Sequence, residues 1–238
     1  MSNAELHPLA PIWPPARIRI TTNRLELRMP TDEDIAALPA LIGEGIYDPS
    51  TMPFASPWAE QPAPRSAEMS MQWHLKQRAE WTPQRWSLLL LVYVDGQIAG
   101  AQDVGARDFA IRRTVDSGSW LGRRFQGAGL GTEMRHAMLS FAFEGLGAAV
   151  AQSDAWVDNP ASIRVSEKCG YVANGVDVAV RRRGPLAPGG ESEAPAELRR
   201  FRLERAVWRA VEDRPHVEIH GLDHEVLASF GVSVGGDD

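Results

Sequence analysis

The stretch RRFQGAGLGTEM, residues 123 to 134, sets Gly127, Gly129 and Gly131 at alternate positions directly ahead of a run with helical periodicity. Glycine leaves the backbone without Cβ atoms, and the first N–H groups of a helix have no partner inside it. Bare backbone at a helix N-terminus attracts an anion through those groups and the helix dipole, so the spacing suits a diphosphate. A nucleoside-triphosphate loop would close on Lys and Ser or Thr, and GAGLGTEM carries no lysine. A dinucleotide fingerprint, G-x-G-x-x-G, needs glycine at 132, where Thr132 stands. It also follows the first strand of a repeated βαβ unit rather than a hairpin in mid-chain.

A second motif lies about thirty residues on. DNPASIRVSEKCGY, residues 158 to 171, reads as a short helix with Asn159 as N-cap, Pro160 at the first position and Gly170 as the stop. Helical spacing puts Asn159, Ser162 and Ser166 on a polar stripe and Ala161, Val165 and Cys169 on an apolar one. Gln126, Gly129 and Gly131 also match the acyl-CoA loop pattern Q/R-x-x-G-x-G/A, and the strand VDSGSWLG feeds that loop. With the helix pattern N-x-x-S-x-x-V-x-x-K-x-G-[FY], these features resemble the GCN5-related N-acetyltransferases (GNAT), in particular the branch that acetylates ribosomal-protein N-termini and its actinobacterial relatives. The resemblance covers roughly residues 20 to 205.

The resemblance implies an α/β (α+β) GNAT fold, a mixed, mostly antiparallel sheet splayed at the cofactor slot and flanked by helices. It implies that the loop backbone of Gln126, Gly127, Ala128, Gly129, Leu130, Gly131 and Thr132 holds the CoA pyrophosphate. Trp120 and Leu121 would lie along the pantetheine and supply an N–H to the thioester oxygen, with Asn159 and Ser162 at the pantetheine arm. The strands of 114–121 and 149–156 would splay to leave the slot. Ser166 takes the place of the family's acid, and Asp154 that of its base, with Asp116 or a water chain as alternatives. The implied activity is direct attack of an amine on an acyl-CoA thioester, acetyl by default and succinyl as an alternative. Succinyl would need a cation near the acyl pocket, from Arg107, Arg112 or the 181–183 run. No metal is implied. The acceptor is a protein N-terminus, a lysine or a small molecule, and a homodimer is the family expectation. A CoA-binding regulatory module without catalysis and a nucleotide-dependent oxidoreductase are the rival readings.

Patterning supplies the elements that must position these residues. A strand over 24–29 precedes a helix with Thr31 as N-cap and Asp32, Glu33 and Asp34 in its first turn. Prolines at 49, 53, 57, 62 and 64 make the next segment a long ordered loop, a lid or substrate wall as readily as a structural flap. Residues 66–81 read as a helix with Met69, Trp73, Gln77 and Trp81 on one side. Strands over 87–94 and 97–104 join through Asp95 and Gly96, a hairpin signal. Beyond the glycine loop, Leu130, Met134, Ala137, Met138 and Phe141 define a buried helix face. Glu133, His136, Ser140 and Glu144 fall opposite, which predicts His136 at the surface. In AAVAQSDAWV a small face (Ala149, Ala151, Ser153, Ala155) alternates with Gln152, Asp154 and Trp156. Strands near 172–180 and 198–205 bracket a polar segment, 184–196, and Arg181 to Arg183 read as a solvated edge. The acceptor pocket is expected from 47–65 and 184–196. Boundaries follow: an N-terminal extension 1–19, the acyltransferase domain 20–206, and a C-terminal extension 207–238 with one alternating stretch, HVEIHG, and a frayed VGGDD end.

Composition bounds the class. A chain of 238 residues with 44% hydrophobic content can bury a substantial core as one domain, or at most two. A net charge of −6 argues against nucleic-acid binding by bulk attraction. No run approaches a membrane span, and the opening residues lack a secretory pattern. The single cysteine, Cys169, excludes an intrachain disulfide framework and fits a reducing cytoplasm as a buried small hydrophobe.

Overall fold

The computed structural model describes residues 6–48, 50–61 and 64–233; the first five residues, Pro49, Pro62, Ala63 and the VGGDD end lie outside them. One sheet organises the chain, with strands β1 (Arg19–Thr21), β2 (Glu26–Arg28), β3 (Arg85–Val94), β4 (Gln97–Arg107), β5 (Thr114–Leu121), β6 (Val150–Trp156), β7 (Val172–Arg183), β8 (Ser192–Glu204) and β9 (Glu218–His220). Their order is β7-β8-β6-β5-β4-β3-β2-β1-β9, and every pairing is antiparallel except β5 with β6. Helices α1 (Asp32–Gly43), α2 (Arg65–Ala79), α3 (Phe109–Arg112), α4 (Leu130–Ser140), α5 (Pro160–Lys168), α6 (Arg205–Arg209) and α7 (His224–Ser229) cover it.

Local chemistry sets the elements. The Thr31 hydroxyl accepts from the Asp34 N–H while the Asp34 carboxylate accepts from the Thr31 N–H, a capping box that starts α1. Asp95 and Gly96 both adopt positive φ, 49° and 75°, and turn β3 into β4 with the twist a two-residue hairpin needs. The larger core lies between the sheet and α4, where Leu88, Leu90, Val104, Val115, Met134, Ala137, Met138 and Phe141 are buried. Leu38, Ile42, Leu91 and Tyr93 form a smaller core on the α1 face.

The one parallel pairing is short. β5 and β6 pair only at Thr114↔Val150, Val115↔Ala151 and Asp116↔Gln152. β5 stays paired with β4 as far as Leu121↔Gly100, and β6 with β8 as far as Trp156↔Leu198. Beyond Asp116 and Gln152 the strands part, and the backbone of β5 that would have met β6 has no strand partner. The splay expected between these segments is therefore present, and this fork positions everything that follows.

Several expectations are corrected. The outer face of α4 is not solvated: Glu133, His136 and Ser140 are all buried. The tail supplies the missing layer, with Trp208 of α6 donating from Nε1 to His136 Nδ1 at 3.3 Å. Tail residues join the sheet and core as well: β9 pairs with β1, and Phe230 packs edge-on against Trp86 at 4.7 Å. In α2 the inward residues are Ser66 and His74, and Trp73 is 55% exposed. On α5 it is Ile163, Ser166 and Cys169 that are buried, while Ala161 faces solvent. β7 and β8 run far past the expected strands and leave only 184–191 as their link. Arg181, expected at a solvated edge, is 5% exposed and donates to both Asp158 oxygens and to the Met52 carbonyl.

Candidate active site

The glycine loop joins the end of β5 to α4 through a tight turn at Arg123–Phe125. Gly127 and Gly129 both sit at φ +80°, where a Cβ is strained, and Gly129 caps α4 with no side-chain hydrogen bond. Among the described residues, the successive N–H groups from Gly127 to Gly131 find no acceptor in the chain. Open space surrounds Gly127. The Gln126 side chain does not face this row; its Nε2 ties the loop to the carbonyls of Ile46, at 2.9 Å, and Leu121, at 2.7 Å.

A strut fixes the row. Arg24 donates from Nη1 to the Ala128 carbonyl at 3.0 Å and from Nε to Glu133 at 2.7 Å, and Thr22 donates to the other Glu133 oxygen at 2.6 Å. Because the peptide unit is planar and trans, holding the Ala128 carbonyl toward Arg24 turns the Gly129 N–H the opposite way. Arg24 also neutralises a buried carboxylate in the first turn of α4, beside the open N–H row.

The floor of the fork is polar. Arg135 of α4, 3% exposed, reaches between the parting strands and donates to Ser119 of β5 and Ser153 of β6, each at 3.1 Å. Its Nε, Ser117 Oγ, Ser166 Oγ and Tyr171 OH are buried with no partner. Ser166 is fully buried, held there by an α5 whose N-cap, Asn159, accepts from the Ser162 N–H at 3.1 Å. Burial raises the Tyr171 phenol above its ordinary value, with Arg135 pulling the other way. Burial pushes the Cys169 thiol up to about 11, so it is a packing residue, with Sγ toward the Thr132 carbonyl.

Strand alternation puts Asp103, Asp116 and Asp154, from β4, β5 and β6, on the other face of the sheet. The Asp103 carboxylate lies over Gly118, where a Cβ would sit 2.7 Å from Oδ1, and so leans across β5 toward the fork. Burial raises its pKa to about 6 against the opposing Gly118 N–H and the Arg135 charge. Asp154 is raised by burial and then by Asp116, and Asp116 by burial.

An aromatic wall closes this face. Tyr47, Phe54, Trp58 and Trp120 follow one another with ring centroids 5.4, 5.3 and 5.9 Å apart. Buried Glu60 knits the wall to the β7–β8 link, accepting from Tyr47 OH at 2.7 Å and from the Leu186 N–H at 3.0 Å. Gly184 is required there, since a Cβ would meet Glu60 Oε2 at 2.3 Å.

Comparison with known families decides what this architecture is. The family described as Acetyltransferase (GNAT) domain matches residues 24–172, well over half of the chain. The chain belongs to the GNAT acetyltransferase family. It is an N-acyltransferase of that family, and solved structures share its fold. RimJ of Mycobacterium smegmatis, in complex with CoA-disulfide, is 16% identical with a TM-score of 0.61, over 80% of this chain and 86% of that one. The spermidine N-acetyltransferase of Vibrio cholerae, with CoA and spermine, is 16% identical with a TM-score of 0.57, over 78% and 98%. The Microcin C7 self immunity acetyltransferase MccE, with acetyl-CoA and AMP, is 20% identical with a TM-score of 0.56, over 76% and 93%.

Within this GNAT fold the residues singled out from the sequence fall into two groups. Gln126 to Thr132 form the loop, while half-buried Trp120, buried Leu121, Asn159, Ser162 and Ser166 line or flank the fork, with Asp154 on the open face beside it. Arg24, Asp103, Arg135 and Tyr171 were not anticipated. Only Tyr171 carried a sequence signal, as the last position of the helix motif; the others join through tertiary contacts. Among the described residues no group of three or more His, Cys, Asp or Glu is placed to hold a metal, and no helix is long and apolar enough to cross a membrane.

Proposed function

We propose that this enzyme transfers an acyl group from a CoA thioester to a primary amine by direct attack in a ternary complex, with no covalent enzyme intermediate. The observation that carries the reading is the row of free N–H groups from Gly127 to Gly131 opening onto the β5–β6 fork. That row suits the pyrophosphate, and the fork suits the pantetheine arm with Asn159 and Ser162 beside it. Unpaired backbone of β5 near Trp120 and Leu121 supplies the donor for the thioester oxygen. Fully buried Ser166 hydrogen-bonds the departing sulfur.

Asp154 and Asp116 supply carboxylates on the open face to meet an amine in its ammonium form, with Arg107, Arg112 and Arg200 close enough to temper their charge. Asp103, with a pKa of about 6, is the group best matched to take the proton near neutral pH; Asp154, beside the fork on β6, is the second candidate. The acceptor is a protein N-terminus, a lysine or a small polyamine-like molecule, bounded by the aromatic wall. Acetyl is the reference acyl group, and succinyl the alternative. The reading places the enzyme in the cytoplasm, in keeping with its lone buried cysteine. A homodimer has its support in edge strand β7, where Val176 and Val178 are exposed.

Thermal stabilisation by acetyl-CoA, succinyl-CoA, CoA, NAD and ATP tests the reading. A ligand at about 100 times its Kd adds roughly 2.7 kcal/mol, a shift of several degrees. Shifts confined to CoA and its thioesters support the assignment, and a response to NAD or ATP alone sinks it.

A further inference from the structure

Arg135 is a buried cation whose only partners are neutral. It donates to Ser119 and Ser153 hydroxyls, and among the described residues no carboxylate reaches it. The acids whose ionisation it affects, Asp103 and Asp154, belong to the opposite face of the sheet. An uncompensated guanidinium is expensive to bury, and its planar fork is shaped for a carboxylate. Its surroundings offer several free donors, and among the described residues the one buried amide oxygen without a partner, Gln102 Oε1, belongs to the residue opposite Ser119. Arg135 Nε, Ser117 Oγ and Tyr171 OH are unpartnered, and the serines that accept from Arg135 have their own protons to give. This cluster lies where β5 and β6 part, at the closed end of the slot. The methyl end of an acetyl group offers none of these donors an acceptor; a carboxylate offers about four lone pairs.

Resting on the acyltransferase reading above, we propose that the fork is an anion receptor in which Arg135, with the Ser117 and Tyr171 hydroxyls, holds the terminal carboxylate of a dicarboxylic acyl donor, succinyl-CoA being the shortest common one. In the transfer, the amine nitrogen forms a bond to the thioester carbonyl carbon and the C–S bond breaks. The ammonium gives one proton to Asp103 before attack, and the second proton, shed by the nitrogen as the amide forms, passes through the Ser166 hydroxyl to the departing thiolate to give free CoA. The product is an amide bearing a free carboxylate, so an ammonium charge of +1 on the acceptor becomes −1.

The test compares succinyl-CoA, acetyl-CoA and butyryl-CoA as donors to one amine. Butyryl matches the succinyl chain in length and lacks only the carboxylate. The wild-type enzyme should favour succinyl over acetyl by about 10-fold or more in kcat/KM and over butyryl by about 100-fold or more, the range in which sites built to hydrogen-bond a polar group reject its absence. Arg135→Gln should lower the succinyl-to-acetyl ratio by at least about 30-fold and weaken succinyl-CoA binding by a similar factor, measured against the Kd of free CoA in the same variant. A wild-type preference for acetyl-CoA overturns the proposal and leaves the acyltransferase reading standing. An unchanged ratio in the variant, with both donors slowed alike, also overturns it, since Arg135 would then serve the leaving sulfur. Binding of no CoA thioester at all sinks both readings together.

Discussion

Removing Arg24 should weaken CoA binding although the side chain sits on a different strand segment from the glycine loop. Arg24 lies on the β1–β2 turn, half-exposed, and pairs with a Glu133 side chain that is only 9% exposed. Arg24→Ala leaves that carboxylate in the first turn of α4, held only by the Thr22 hydroxyl, next to the N–H row that must receive a diphosphate. At an effective dielectric of about 20, two unit charges about 8 Å apart repel by roughly 2 kcal/mol, which is about 30-fold in Kd. Release of the Ala128 carbonyl, and with it the Gly129 N–H, adds to this. Stability should fall by only about 1 to 2 kcal/mol, because the lost partner is half-solvated. Isothermal titration with CoA reads the affinity, and the double variant Arg24→Ala with Glu133→Gln isolates the charge. We expect the double variant to recover to within about 5-fold of wild type, and the single variant's loss to shrink with added salt. A single variant within about 2-fold of wild type refutes the strut. A double variant no better than the single one refutes the electrostatic part of the reasoning.

Three further outcomes follow from the same geometry. Gly129→Val places a branched side chain at φ +80°, at a strain of about 1 to 2 kcal/mol, but its Cβ has room, 3.7 Å from Arg24. The variant should stay folded by circular dichroism and show no thermal shift with CoA. Asp103→Asn should lower kcat/KM and abolish an acidic limb near pH 6, below which the wild-type carboxylate is protonated and activity falls; a limb that survives assigns the proton to Asp154. Burial holds His136 and His74 at about 4, well below the unfolded value of about 6.5. Their stabilising contribution is present above about pH 6.5 and is lost as pH falls toward 4, by up to about 3 kcal/mol each. Asp103 opposes this over about pH 6 to 4, so urea midpoints should be followed in the Asp103→Asn background, where a midpoint that does not fall between pH 7 and 4.5 contradicts the burial of the histidines.

What the sequence could say was set by the range of its signals. The glycine loop, the Asn159 cap, the Asp95–Gly96 hairpin and the strands on either side of the fork are local, each written in adjacent residues and each recovered in place. The polar residues of α4 misled, because a helical wheel assigns one buried face and this helix has two. Its second cover comes from Trp208, about seventy positions on, and from Arg24, about a hundred positions back. No periodicity within the helix could report either. The long β7–β8 hairpin was cut short for a related reason: Gly184, Pro185, Pro188 and Gly190 belong to the link, but the charged strand ends beside them read as loop until Arg181 is seen donating to the Met52 carbonyl.

The same limit explains which site residues were found. Residues that bind through backbone leave a signature, since glycine spacing and capping residues are what exposed N–H groups require. Residues that act through side chains across the sheet leave none. The Asp103 carboxylate, raised to about 6 by burial, can lie over Gly118 on the next strand because that residue has no side chain to displace it. Arg135 reaches the fork only because β5 and β6 stop pairing after three residues, and Ser119 and Ser153 are far enough apart in the chain that nothing local links them. In the proposed mechanism, donor choice and proton transfer rest on pairs whose members are separated by a strand or more, while CoA binding rests on a run of adjacent residues. Substitutions in the loop should accordingly act one at a time on CoA affinity. Those at Asp103 and Gly118, or at Arg135 and its serines, should be strongly non-additive in double-mutant cycles of kcat/KM. Additive behaviour within about 0.5 kcal/mol for Asp103→Asn combined with Gly118→Ala would show that the glycine does not set the carboxylate's position.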